Sequence, residues 1–357
     1  MATLTETAYY SRKIINLSII ALLIFLGLRI LYTTTVAIWN TLFPTPPPPA
    51  NHAFGQLTFP LNQADSASPS AKITYVLQTV DGSLPVLPKT FKVYALIQPD
   101  PNFNSFNSMK NLAGRMDFAG SPNQVGPTSW KFVDTATPLR TLVVDEVSEN
   151  FNLNYNFQAD PNLFQEKSLV TSDQSYPGSF LQSLGILPPE ISNNQVASYF
   201  RNDGGKLVPT TSLSTADALQ ISFNRDDIDK TPVISPNPDK SLVSVIISPS
   251  SNSKKKVIQA NYYYYPVDFQ NSGTYDLTTS QLAYDMLTQG QAFFAKLPKN
   301  TNNIVIREVF LAYLDPYPAQ PYLQPVLVFS DGKDFLAYVP GVTSSWLLKP
   351  GEQSAAK

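Results

Sequence analysis

The chain has 357 residues, of which 15% are charged, and its formal net charge is −2. It holds one histidine and no cysteine, which excludes disulfides, thiol catalysis, cysteine metal sites and any histidine-based triad or ordinary zinc site. With 25 basic side chains against 27 acidic ones there is no basic field for nucleic acid, and we expect no cofactor.

The stretch from Lys13 to Ala50, KIINLSIIALLIFLGLRILYTTTVAIWNTLFPTPPPPA, predicts a membrane anchor. Between Ile14 and Leu31 only Asn16, Ser18 and Arg29 are strongly polar. As a helix that segment spans about 27 Å, roughly a hydrocarbon core. Arg29 decides the frame. A span from Leu17 to Ile38 would put it near mid-bilayer, at a cost of ~2.5–3.5 kcal/mol. A span from Ile14 to Leu31 leaves it within a turn of the far face, where it can snorkel or meet a partner helix. In that second frame, which we adopt, Tyr9 and Tyr10 flank one interface and Tyr32 the other, with Trp39 near the headgroups. Arg12 and Lys13 precede the span, so the positive-inside rule puts the N-terminus in the cytoplasm and the bulk outside. The rival is a cleaved signal peptide, which needs a shorter apolar core and a small-residue cleavage site.

Pro44 to Pro49 predicts a polyproline II spacer of ~3.1 Å per residue. His52 follows it and reads as linker. The next signals are β: Ile73, Tyr75 and Leu77 alternate with polar residues before an Asp81-Gly82 turn. Phe91, Val93, Ala95 and Ile97 line one face of a second strand. Phe106, Met109, Leu112, Ala113 and Met116 then recur at helical spacing, with Asn104 or Ser105 as cap and Gly120 as stop. Beyond Trp130–Phe132 and Thr141–Val144, Phe151, Leu153, Tyr155 and Phe157 alternate with Asn152, Asn154, Asn156 and Gln158. That is one wet and one buried face of an antiparallel sheet.

A helix is expected from Tyr176, with Pro177 in its first turn, followed by strands over Ala218–Phe223 and Leu242–Ile247. The C-terminal part reads as strand (Val257–Tyr265), helix capped by Thr279 or Ser280, then three strands with an Asp331-Gly332 turn. The expected class is α+β: an N-terminal transmembrane helix, then two antiparallel-sheet lobes, each with a packed helix. The segments are residues 1–13 (cytoplasmic), 14–43 (transmembrane helix and exit segment) and 44–56 (proline-rich spacer). Residues 57–165 form a first lobe, 166–250 a middle β-rich connection, 251–345 a second lobe and 346–357 a tail.

No catalytic residues stand out. Carboxylate pairs are the remaining enzymatic option, at Asp145/Glu146, Asp226/Asp227/Asp229 and Asp331/Asp334. The first and last read as solvated turn positions. The middle cluster offers oxygen ligands for calcium but lacks EF-hand spacing, so a metal there stays open against a solvated loop. Arg307 and Glu308 interrupt an apolar strand and point to opposite faces. Tyr262 to Tyr265 places two tyrosines on each face: Tyr262 and Tyr264 continue Ile258 and Ala260 toward the core, while Tyr263 and Tyr265 continue Gln259 and Asn261 outward. Tyr263 and Tyr265 are therefore the candidate protein-contact residues. The anchor residues are Arg12, Lys13, Arg29, Tyr32 and Trp39.

The anchor, the strand–helix–meander order and above all the ending IREVFLAYLDPYPAQPYLQPVLVFSDGKDFLAYVPGV resemble the YycH/YycI regulators and, more loosely, PepSY-type domains. The resemblance covers the last forty residues or so best, extends to Phe91–Phe157, and misses the middle. It implies a membrane-anchored, non-enzymatic modulator of a sensor kinase or extracellular enzyme, with no catalytic residues. The expected partners are the lipid bilayer and an unidentified membrane or envelope protein. A carboxylate-dependent envelope hydrolase and a structural component of a surface assembly are the alternatives.

Overall fold

The structure, a computed structural model, describes residues 4–42, 49–59, 73–165, 168–238, 240–298, 303–317 and 320–348. Two compact units divide the chain at residues 48 and 49.

The first unit holds one helix, Leu4–Leu42, whose stretch Ile15–Trp39 has a mean hydropathy of 2.2 and is not covered by its own chain. By length and composition it can cross a membrane. The exit segment expected from Thr33 continues the helix to Leu42 instead. Three adjacent threonines sit in it because the hydroxyls of Thr33, Thr34 and Thr35 donate to the carbonyls of Ile30 and Leu31. Pro44 to Pro48, the body of the expected spacer, lie outside the described residues.

The second unit is an α+β domain of several sheets with a few helices, as the strand and helix periodicities indicate. Its largest sheet has nine antiparallel strands. From edge to edge they are Asn123–Gln124, Ser129–Val133, Arg140–Asp145, Phe151–Tyr155, Val257–Tyr262, Val243–Ile247, Ala218–Asn224, Asn194–Asp203 and Lys206–Thr210. On one face Leu142, Val144, Leu153, Ala260, Val245 and Ile221 pack under helices Ser105–Arg115 and Tyr176–Ser183. The first of these helices ends earlier than Gly120: Asp117 takes the left-handed conformation (φ +63°) directly after the last turn.

A seven-stranded sheet runs Val233–Ile234, Glu308–Leu314, Tyr322–Ser330, Leu336–Pro340, Phe293–Lys296, with Thr90–Leu96 paired to Tyr322–Leu323 and to Val267–Asp276. Helix Ser280–Thr288, capped by Thr279 (Oγ accepting from Leu282 N at 3.2 Å), packs Ala283 and Leu287 on it. Thr74–Leu77 pairs in parallel with Asn303–Ile306.

Strand membership differs from contiguous lobes. Thr90–Leu96 joins the sheet of the C-terminal strands, and Val257–Tyr262 lies inside the sheet built mostly from earlier ones. The physical reason is burial on both faces. Val93 packs with Tyr275 and Val342, while its neighbour Tyr94 packs with Tyr313 and Leu323 on the other side. A strand apolar on both faces takes an interior position between layers.

The spacer also ends sooner than expected. The amides of Asn51 and His52 donate to Thr274 O at 3.0 Å, Leu57 is fully buried, and its N–H bonds Trp346 O at 2.8 Å. His52 is thus not linker: its ring stacks on Trp346 (centroids 3.7 Å apart) and Nε2 lies 3.0 Å from Asp276 Oδ2. Trp346 and Leu347, assigned to a tail by sequence, are part of this clip; residues beyond Leu348 lie outside the described ones.

Candidate binding surface around the tyrosine run

The strand Val257–Tyr262 ends where the tyrosines begin, yet the alternation persists because Tyr263 N still bonds Leu242 O at 3.0 Å. Tyr262 is buried, stacked on Phe151 at 5.5 Å, with its hydroxyl donating to Ile186 O at 2.8 Å. Tyr264 is half-buried on the same side, 6.2 Å from Tyr262, and its hydroxyl donates to Glu190. Burial pushes both phenols well above their ordinary range, and for Tyr264 the Glu190 carboxylate adds to it. Tyr263 and Tyr265 face the other way, half-buried, with their rings 5.4 Å apart edge to face. Tyr263 also meets Tyr317, which is 57% exposed, at 4.7 Å.

Arg225 fixes this run in place. It lies at the end of strand Ala218–Asn224, only 5% exposed, with its guanidinium 4.7 Å from the Tyr264 ring centre. Nη2 donates to Tyr265 O at 2.9 Å, and Nε donates to Asp315 Oδ2 at 3.2 Å. Asp315 follows strand Glu308–Leu314 of the other sheet, so this pair clasps the two sheets together. Desolvation opposes charge on Arg225, and Asp315 and Tyr264 more than offset it, raising its pKa.

Two grooves open on either side of Tyr265. One, about 410 Å³, is apolar: Ile97 (50% exposed), Pro99, Leu187, Pro188 and Pro266 line it with Tyr265. The other, about 760 Å³, mixes polar and apolar lining and lies on the open face of the nine-stranded sheet, with Tyr263, Tyr265 and Tyr317 among its walls. Its floor follows from strand register. Asn152 sits opposite Asn261, and Asn261 opposite Ser244. Asn152 Nδ2 donates to Asn261 Oδ1, and Asn261 Nδ2 to Ser244 Oγ at 3.5 Å. The alternating asparagines announce this wet face in the sequence; the groove does not show there, because its walls come from distant loops.

The carboxylate pairs are turn and ring acceptors. Asp145 Oδ1 accepts from Val147 N, Ser148 N and Ser148 Oγ, while Oδ2 accepts from Thr128. Glu146 accepts from Trp130 Nε1 at 2.7 Å. Asp331 Oδ1 accepts from the amides of Lys333, Asp334 and Phe335. In the acidic loop, Asp229 takes a φ of +49° and accepts from Tyr94. Among the described residues no group of three or more His, Cys, Asp or Glu is placed to hold a metal ion. Arg307 and Glu308 are both exposed where the apolar run breaks into two strands. Of the anchor residues, Lys13, Arg29, Tyr32 and Trp39 are exposed along the first helix, and the side chain of Arg12 lies outside the described residues.

The arrangement defines a protein with an apolar N-terminal helix and an α+β domain that carries two surface grooves. No protein-family model and no curated protein matches the sequence. Two solved structures are similar at 10% identity. One is an uncharacterized protein from Eubacterium rectale, with a TM-score of 0.41, covering 75% of this chain and 87% of that one. The other is the C-terminal domain of YpeB from Bacillus megaterium, with a TM-score of 0.29, covering 69% and 95%. Both likenesses are distant.

Proposed function

We propose that this is a single-pass membrane protein whose α+β domain stands outside the cytoplasm and, without catalysing a reaction, binds a membrane or envelope protein. The observation that carries the reading is the apolar groove beside Tyr265, where Ile97, Leu187, Pro188 and Pro266 leave apolar surface uncovered around an aromatic anchor. Contact surfaces with buried aromatic anchors supply most of the energy of protein association. Two further features support it: the apolar helix Ile15–Trp39, and the use of Asp145, Glu146 and Asp331 as structural acceptors. The sequence resemblance of the C-terminal stretch to YycH/YycI regulators points to a sensor kinase or an envelope enzyme as the partner.

The test places a photo-crosslinking amino acid at Tyr265 of the full chain in its native membranes. One defined protein adduct is expected, lost when Leu187→Asp puts a charge in the groove. Crosslinking to lipid alone, or hydrolysis of an envelope polymer abolished by substitution of one carboxylate cluster, would overturn the reading.

A further inference from the structure

We propose that the larger groove, on the open face of the nine-stranded sheet, is a binding site for an uncharged oligosaccharide. This goes beyond the protein-binding reading and stands on different residues.

The floor comes first. Its polar groups include the carboxamides of Asn152, Asn261, Gln220 and Gln259 and the hydroxyl of Ser244, with the apolar Val143 and Ile246 among them. Each carboxamide offers donors and an acceptor together. Sugar hydroxyls also donate and accept, and neighbouring pairs of them match a carboxamide. Asn152, Asn261 and Ser244 already bond one another, which leaves the remaining donors and acceptors of these carboxamides for a ligand.

Next come the walls. Tyr263 and Tyr317 meet edge to face at 4.7 Å, and Tyr317 is 57% exposed. Aromatic faces carry negative π density, to which the slightly positive C–H face of a pyranose ring is drawn. An amide floor with tyrosine walls therefore addresses both surfaces of a sugar: its hydroxyl rim and its C–H face.

Charge narrows the class. Among the described residues the groove's charged members are Asp145 and Lys240. Asp145 is already an acceptor at both oxygens, from Thr128, Val147 and Ser148. A lone lysine is a poor cradle for a polyanion, and a site for a polycation would need free carboxylates. A peptide strand has no ladder to join here, because strand addition uses a sheet edge and this is a face.

The volume, about 760 Å³, lies in the range of small-ligand sites.

The experiment uses the full chain in phospholipid nanodiscs, since glycoside detergents would compete. Chitotetraose, cellotetraose, xylotetraose and mannotetraose are titrated by calorimetry, with a peptide of alternating asparagine and serine as the comparison. Saturable binding of at least one oligosaccharide is expected. Tyr317→Ala and Asn152→Ala, both at exposed positions, should each weaken it about tenfold with an unchanged melting temperature. Absence of binding by every oligosaccharide into the millimolar range overturns the proposal. So does binding indifferent to both substitutions, or preference for the peptide. Tyr265 borders both grooves, but Leu187 lines only the apolar one, so loss of the protein adduct in Leu187→Asp reads the protein partner separately and either proposal can fail while the other holds.

Discussion

Lys254 Nζ lies 2.9 Å from Asp134 Oδ2, across 120 residues of sequence. Its neighbours do the same with other loops: Lys255 meets Asp160 and Lys256 meets Asp173, each at 2.7 Å. One short turn, Ser253–Lys256, thus pins three separate segments to the end of the nine-stranded sheet. Asp134 is also 3.5 Å from Arg140, and both are nearly inaccessible to water. Burial works against its charge, but Lys254 and the amides of Ala136 and Thr137 more than offset that, holding its carboxyl below the usual range.

Asp134→Ala should therefore cost about 3–5 kcal/mol, because it strands buried Arg140 without its partner. Lys255→Ala breaks a pair whose lysine is a third exposed and should cost no more than about 1 kcal/mol. Asp160 and Asp173 are likewise held low, Asp160 chiefly by Lys255; for Asp173, burial opposes the shift and Lys256 overcomes it. Since the folded values lie below that of an unfolded aspartate, about 3.9, the stabilisation is complete above that pH. It is lost as pH falls through the folded values. In urea titrations the stability difference between the wild type and Asp134→Ala should be constant from pH 7 to about pH 4 and narrow below that.

The lysine triplet shows what sequence can and cannot reveal. Phe151–Tyr155 announces a half-wet strand, because alternation is local and the structure keeps it. Thr279 announces a helix start, because a cap acts within one turn. The partners of three adjacent lysines are set by loops 83 to 120 residues away, and nothing within a local window encodes that distance. His52 failed for the same reason: its partners are Asp276 and Trp346. The sides to which the tyrosines turn were legible, but their burial follows only in part, since Tyr264 is half-buried like Tyr263 and Tyr265; the grooves they line were not legible, because Tyr317 and Pro188 arrive from different parts of the chain.

That parity has energetic consequences. Tyr262→Ala removes a buried ring stacked on Phe151 and should cost about 3–5 kcal/mol by analogy with other large aromatics. Tyr263→Ala and Tyr265→Ala should cost clearly less, as both rings are half-buried. Denaturant midpoints of the three variants measure this, and equal losses would show both faces to be equally packed.

The clasp between the sheets gives a sharper contrast. Arg225→Met leaves Asp315 without the guanidinium that holds it, and should cost about 3–5 kcal/mol. Adding Asp315→Leu removes the orphaned charge and should restore part of the loss. A double-mutant cycle in urea measures the coupling; additive losses would mean that the clasp contributes nothing as a pair.

Gly273 explains how the segment after the spacer reaches the sheet. A Cβ there would come within 2.9 Å of the Tyr275 ring and 3.2 Å of Ala53 N. Gly273→Val should push residues 51–58 off the domain and expose Leu57. Hydrogen exchange should then accelerate at the amides of Asn51, His52 and Leu57, with the core strand Phe151–Tyr155 still protected. Unchanged exchange at those amides would show that the clip tolerates a side chain there.

Topology is testable with unusual directness, because the chain has no cysteine and every label can be placed alone. Val86 is fully exposed on the domain, and Ala2 precedes the apolar helix in the sequence. Arg12 and Lys13 on the Ala2 side predict that this end stays in the cytoplasm. In intact cells stripped of outer barriers, a membrane-impermeant maleimide should label Val86→Cys and leave Ala2→Cys unlabelled until the membrane is opened. Cleavage of the helix as a signal would separate the two positions, so a tag fused before Ala2 would then run apart from the domain on a gel. Labelling of Ala2→Cys alone would invert the orientation and put both grooves in the cytoplasm, away from any envelope partner.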